Sequence, residues 1–544
     1  MAVEKAHFLI KKGALNATPF AILAALICAA PILAVGWIAL TGETGDYLEH
    51  LAQTRLPIYL INSAQVAGFA ALGTGILGTS LGWLIARTEF FGRKTMSWIL
   101  ILPLAVPAYV AAYAWLDLST AGGPLQAYTF GLFPTIRGSW GAGFMFTFVL
   151  YPYVYLLARD AFSSQSADAF DAARTLGASP LRAFFQTSLP MARPAIAAGL
   201  ALVMMESLAD YGTVSHLGAP TLSIGLIRAW SGAGSLIDAA RLSLVLVVIA
   251  LLIFGLERAQ RRRARSITGS GKHRPAHRTQ LKPSSALAAL SLCLLPLILG
   301  LGAPMARLGW LALKEPVATG LVQASTHSLT LAIISALIAA ILGLSTAYAL
   351  RTKTRIAIVA ARAAGLGYAV PGAVAAVGVI AILSGIQTII DPAWTSLTGS
   401  PFPILLTGGA AALIFAYLSR FAAAAIGPSE SALSRVTPTL DGAARTLGAT
   451  AFETARRVHW PLMVAGITSA GLLVFVEVLK ELPATMILRP FNYDTLAVIA
   501  HAFAADERLG EAAMPSLLIV LIALLPMIFV ARYLSRDTSG ASKA

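Results

Sequence analysis

Charge is what this sequence has least of. Asp, Glu, Lys and Arg make up 12% of its 544 residues, about half of the roughly 25% found in an ordinary soluble domain, and that shortage excludes a conventional water-soluble fold. Cysteine is nearly missing too. Cys28 and Cys293 are the two in the chain, both inside apolar runs, which excludes a disulfide framework and a thiolate metal site and leaves them as lipid-facing or packing residues. A phosphate-binding loop is also missing. Gly269-Ser270-Gly271-Lys272 comes nearest, but Ser266 stands where the first Gly belongs, His273 replaces the Ser or Thr, and no strand precedes it. No HExxH string occurs either, so the chain reads as a non-enzyme that cannot hydrolyse ATP itself.

What is there is apolar length. The chain is 57% hydrophobic with a mean hydropathy of +0.76, and runs of about 20 apolar residues, enough to cross the hydrocarbon layer as helix, recur along it. Twelve such spans are predicted, at 19–41, 58–86, 97–117, 139–159, 194–210, 240–257, 285–310, 326–350, 358–386, 402–424, 464–482 and 514–533; the ninth has room for a break at Pro371 and Gly372. The runs are continuous rather than alternating, so an all-α integral membrane fold of about 12 helices is expected, not a barrel. The first run lacks a small-residue cleavage site and is taken as a retained helix. With Lys5, Lys11 and Lys12 placed in the cytoplasm, about 31 of the 40 basic residues fall on the cytoplasmic side and about 8 outside, which puts both termini inside. The net charge of +15 is thus read as topology rather than as a nucleic-acid surface. The densest basic run, from Arg258 to Lys282, reads as a flexible cytoplasmic linker facing anionic headgroups.

The chain also repeats itself. Ala-Ala-Arg-Thr-Leu-Gly-Ala stands at Ala172–Ala178 and again, letter for letter, at Ala443–Ala449, 271 residues later. Pro190 with Pro461, Glu206 with Glu477 and Asp210 with Glu481 keep that offset, and Val106-Pro107 corresponds to Val370-Pro371. Two tandem six-helix units follow: 1–258 and 285–544, joined by the linker 259–284, with a pseudo-two-fold axis along the membrane normal. Each heptapeptide falls between the fourth and fifth spans of its half, on the cytoplasmic face. Phe170, Ala173, Leu176 and Gly177 have helical spacing, and Gly177-Ala178-Ser179-Pro180 supplies a stop and a restart. Helices near 166–180 and 437–450 are therefore expected to dock a soluble partner.

These segments resemble the signature of ABC-importer permeases. DAARTLGASPLRAFFQTSLP, from Asp171 to Pro190, carries Asp for the usual Glu of Glu-Ala-Ala, then Gly177 and Leu189-Pro190; GAARTLGATAFETARRVHWP keeps Gly448 and Pro461, with Gly442 in place of the acid, Asp441 one position earlier and Trp460 for Leu. The resemblance implies type I importer architecture in the bacterial inner membrane, with a homodimer of cytoplasmic ATPase subunits docked on these segments. It implies a coupling role for Asp171, Ala172, Ala173, Arg174, Gly177, Ala178, Asp441, Ala443, Ala444, Arg445, Gly448 and Ala449. ATP then binds the partner, and no cofactor is bound covalently here.

Ionisable groups in a bilayer cost about 2.5–3.5 kcal/mol on insertion scales and mark pathways or pair with one another. Only the fifth span of each half is expected to carry them clearly: Glu206 and Asp210 at i and i+4, then Glu477 and Glu481. Four carboxylates near an axis suit a hard cation and disfavour sulfate, phosphate or molybdate, with Tyr211 as a further oxygen ligand; the alternative is that these acids only cap their helices. Lys480 lies off that face and is expected to snorkel or pair locally. The stretches ESLADYGTV (206–214), GAPT (218–221) and IRAW (227–230), with KELPAT (480–485), LRPFN (488–492) and DTL (494–496), resemble ferric-iron permeases. That resemblance implies Fe(3+) as cargo and a periplasmic ferric-binding protein, with Arg228 and Arg489 in external loops either meeting that protein or holding the loops. Thiamine, a polyamine or a phosphonate stay open as cargo, as does a twelve-helix secondary transporter.

Overall fold

The computed structural model describes residues 17–43, 46–165, 167–265, 278–402 and 409–540. The N-terminal lysines and most of the linker, including the Gly269–Lys272 string, lie outside the described residues. Apart from a two-residue parallel bridge pairing Thr88 with Thr279 and Glu89 with Gln280, the regular structure described is helical. Among the described residues, eleven helices are long and apolar enough to cross a membrane, or twelve when one bent pair is taken as a single span. That pair, Arg93–Ala105 with Ala108–Tyr128, is bent by 87° where a straight third span over 97–117 was expected. The cause is Val106-Pro107. Val106 takes extended dihedrals (φ −89°, ψ 119°), as a residue before proline must, and Pro107 has no N–H to continue the helix. Val370 before Pro371 does the same (φ −87°, ψ 122°), so the ninth span is broken there and its long helix is Gly372–Thr398.

Helix Thr18–Thr41 shows why these segments need a bilayer. It buries Ala21, Ala24, Cys28, Pro31 and Val35, spaced by threes and fours, while Leu33, Trp37 and Leu40 on other faces are 71–79% exposed. A stripe of mostly small residues brings partner helices close, and the exposed apolar faces belong in lipid. Its partners are the helices Arg355–Ala364, Gly372–Thr398 and Ala410–Ser434. Helices Leu56–Arg87 and Gly138–Ser164 pack by the same device. A Cβ at Gly78 would lie 2.7 Å from Val154, and one at Gly82 2.9 Å from Ala158. The string Gly78-Thr79-Ser80-Leu81-Gly82 also spells GxSxG, but it runs through continuous helix, without the strand and sharp turn that expose a nucleophile.

Contacts divide the chain into two compact units that cut across the sequence halves 1–258 and 285–544. One holds residues 1–43, 229–244 and 322–495; the other holds 44–228, 245–321 and 496–544. In the first unit, Arg241 donates to the carbonyls of Ala39 (3.3 Å) and Gly42 (2.9 Å), tying the start of helix Leu236–Arg265 to the end of Thr18–Thr41. In the other, helix Ala303–Ala312 packs on Ala108–Ser119 and on Leu509–Gly540, and Arg307 pairs with Asp117 at 2.5 Å.

Candidate functional site

The two heptapeptides fold alike. In the first, helix Ala167–Thr175 ends in backbone bonds from Leu176, Gly177 and Ala178 to the carbonyls of Ala172, Arg174 and Ala173. This closure needs a left-handed residue, and Gly177 (φ +88°) supplies it. Ser179 then caps the restart by accepting from the Arg182 N–H at 3.3 Å, Pro180 fills the first turn, and after a wide turn at Phe184–Ser188 the chain runs on as helix Leu189–Ala209. In the second, helix Pro438–Thr446 closes through Leu447, Gly448 and Ala449 onto Ala443, Arg445 and Ala444, with Gly448 at φ +81°. Thr450 and Glu453 form a reciprocal capping box before the wide turn Ala455–His459 and helix Trp460–Leu479. The fifth and eleventh spans, expected from 194 and 464, therefore begin earlier, at Pro180 and Ala451.

At each tip stands a bare leucine. Leu176 is 88% exposed and Leu447 87%, although sequence reasoning assigned the coupling role to their neighbours. Asp171, Ala172, Arg174, Gly177, Ala443, Arg445 and Gly448 are exposed, Ala173, Ala178 and Ala449 half-buried, and Ala444 buried. Asp441 differs from Asp171. It is half-buried, 3.1 Å from Arg351 and 2.7 Å from His459, so its charge is taken up inside the protein. At the 271-residue offset Asp441 matches Phe170, not Asp171; both are half-buried, and Phe170 lies 5.6 Å from Trp83 between ring centroids.

The four acids of the fifth spans are not four free carboxylates. Asp210 follows the end of helix Leu189–Ala209 and accepts from the Thr213 N–H (2.8 Å), the Thr213 hydroxyl (3.0 Å) and the Val214 N–H (3.3 Å). It caps the short helix Gly212–His216. Glu481, 271 positions on, accepts from the Ala484 N–H at 3.1 Å and caps Pro483–Leu488. Glu481 is also buried against Arg420, at 2.6 Å. Gly372 makes room for that pair, because a Cβ there would lie 2.1 Å from a Glu481 oxygen. Arg420 sits inside the expected span 402–424, so the acids are not the only clear charges within the spans, and this arginine was the signal missed. Glu477 pairs with Lys480 at 2.9 Å, the local pairing expected of that lysine. Glu206 is half-buried one turn before Asp210. With guanidinium and ammonium groups on Glu481 and Glu477, these two acids do not present uncompensated negative charge to an anion.

Tyr211 is half-buried, with its ring 5.5 Å from His501. The hydroxyl of Tyr113 lies 3.0 Å from His501 Nδ1, and its ring 4.5 Å from His216. These aromatic and imidazole groups escaped the sequence reading because they are far apart in the chain. Among the described residues, no three His, Cys, Asp or Glu side chains are grouped so as to hold a metal ion. Arg489 is ion-paired with Asp494 in its own loop.

The fold is thus that of a polytopic helical membrane protein with a Gly-closed segment leading into each of two matching spans. Residues 78–266 match the family described as the binding-protein-dependent transport system inner membrane component, and the chain belongs to that family of ABC-importer permeases. It is 24% identical, over 89% of its own length and 92% of the relative's, to the Fe(3+)-transport system permease protein FbpB 2 of Haemophilus influenzae. It is 30% identical to the molybdenum transport system permease protein ModB of the same organism, over 38% of this chain and 95% of that one. The sulfate transport system permease protein CysT of Salmonella typhimurium is 26% identical over 37% of this chain and 75% of its own.

Proposed function

We propose that this chain is the fused, double-length channel of an importer that moves ferric iron, handed over by a periplasmic binding protein, across the bacterial inner membrane. The carrying observation is length. The ferric-iron permease aligns along nearly the whole chain, whereas the molybdenum and sulfate permeases span little more than a third of it. In this reading the sequence halves 1–258 and 285–544 are two six-helix repeats, and both termini are cytoplasmic. A homodimer of ATPase subunits grips the segments tipped by Leu176 and Leu447, because an exposed leucine on a short helix fits an apolar groove while flanking charges set register. Closure of that dimer by ATP moves helices Leu189–Ala209 and Trp460–Leu479, each continuous with its segment through a wide turn. Glu206 and Glu477 act as transient oxygen ligands for a hard cation, while Asp210 and Glu481 hold the turns beside them.

A second reading, an oxyanion cargo, is favoured by Arg420 and Lys480, which leave little uncompensated negative charge on Glu481 and Glu477. Proteoliposomes containing the permease and its ATPase, given binding protein loaded with ferric iron or with molybdate, separate the two. Uptake and ATPase stimulation by the ferric form alone are expected, and stimulation by molybdate alone overturns the iron reading. Joint Glu206→Gln and Glu477→Gln replacement is expected to abolish iron uptake while the complex still assembles, and unchanged uptake removes their ligand role.

A further inference from the structure

The two segments are fastened to the membrane helices by different chemistry. In the second copy, the acceptor-only carboxylate of Asp441 takes the Nε2–H of His459 at 2.7 Å, and the Tyr348 hydroxyl is hydrogen-bonded to Nδ1 at 2.9 Å. Arg351, the last residue of helix Leu321–Arg351, lies 3.1 Å from Asp441 and donates to the Val436 carbonyl at 2.7 Å. His459 is 6% exposed. In the first copy, Arg87 ends the helix Leu56–Arg87 but donates to neutral Gln165 at 3.3 Å, and Gln165 donates to the Ser188 carbonyl at 2.9 Å. Trp83 does the fastening there, with Phe162, Phe170 and Phe184 at 5.1, 5.6 and 4.9 Å between ring centroids. Ser188 holds the position that matches His459.

We propose that His459 is a positioning residue for coupling. Through Asp441, Tyr348 and Arg351 it locks helix Pro438–Thr446 to helices Trp460–Leu479 and Leu321–Arg351, while the first segment is held by the aromatic pack around Trp83 beside the Arg87–Gln165–Ser188 hydrogen bonds. The two segments thus transmit nucleotide-driven motion through unlike linkages, one centred on a histidine–carboxylate bond, one dominated by aromatic packing. An aromatic pack holds a helix by area and tolerates small rotations. A charge-assisted hydrogen bond fails once its angle is lost, so it transmits orientation as well as position. This inference rests on the reading of these segments as ATPase docks.

The test measures radioactive ferric iron taken up per ATP hydrolysed, in proteoliposomes holding the whole complex with ferric-loaded binding protein. His459→Leu keeps bulk and removes both hydrogen bonds; it is expected to lower the ratio about tenfold, the effect of one charge-assisted bond. His459→Gln keeps an N–H for Asp441 and is expected to stay within about threefold of wild type. A purely packing role predicts the reverse order. Tyr348→Phe deletes a single hydroxyl and serves if the Leu variant does not fold; its ratio is expected to fall about threefold. Ser188→Ala, which removes a buried hydroxyl without a hydrogen-bond partner among the described residues, is expected to leave the ratio unchanged. Equal ratios for His459→Leu, Tyr348→Phe and wild type overturn the inference alone. A wild-type complex that hydrolyses ATP without moving iron overturns the functional reading beneath it.

Discussion

At the scale of single residues, the charges inside the membrane domain are held by specific partners, and the consequences are measurable. Arg420 and Glu481 are buried 2.6 Å apart, so removing one partner strands the other charge, at a cost of about 3–5 kcal/mol. Glu481→Gln or Arg420→Met should therefore lower the thermal unfolding temperature in detergent sharply, and replacing both by Met should recover most of the loss. Gly372→Ala should act like the single variants, since its Cβ would collide with the carboxylate. Asp210 offers a different contrast. As a cap it needs only an acceptor oxygen, so Asp210→Asn should transport near the wild-type rate, whereas Asp210→Ala should lose about 1 kcal/mol of stability. Transport abolished by Asn would mean that the carboxylate meets the cargo directly.

At the scale of elements, the proposed ATPase docking falls on the paired Gly-closed segments, and their exposed tips are the place to test it. Leu176→Asp or Leu447→Asp puts a charge where an apolar anchor is needed. Each should cut co-purification of the ATPase at least tenfold, by roughly the 2 kcal/mol or more that a buried interface anchor contributes, while insertion and thermal stability stay unchanged. Retained ATPase would show that docking lies elsewhere. These elements were legible in sequence because their signals are local. The repeated heptapeptide carries its own stop residue, and Val370-Pro371 its own break, whereas Val106-Pro107 reads only as a mark of the repeat and its bend is missed. What could not be read locally was partnership. Asp441 looks like a displaced docking acid until Arg351 and His459 are seen beside it, and Asp210 and Glu481 look like a cation site until their caps and Arg420 are in place. Helix periodicity gives the face a residue occupies, but not what the neighbouring helix puts opposite it.

At the scale of the whole molecule, chain order and packing order differ, and that difference makes a prediction about fragments. Helix Thr18–Thr41 presents Ala21, Ala24, Cys28, Pro31 and Val35 to helices of the second sequence half, from Leu321–Arg351 onward. A fragment ending at Arg265 would turn that stripe toward lipid and would leave helix Ala108–Ser119 without Ala303–Ala312. Small residues gain little from lipid contact, and their value lies in the close approach they permit, so the lost packing has no substitute in a bilayer. Each fragment, 1–265 or 278–544, expressed alone should insert but be protease-sensitive and polydisperse in mild detergent. Co-expressed, the two should assemble into a particle with a sharp unfolding transition close to that of the intact chain. A single fragment that is monodisperse and as heat-resistant as the whole would mean that a sequence half folds on its own, and that the exchanged helices are peripheral to stability.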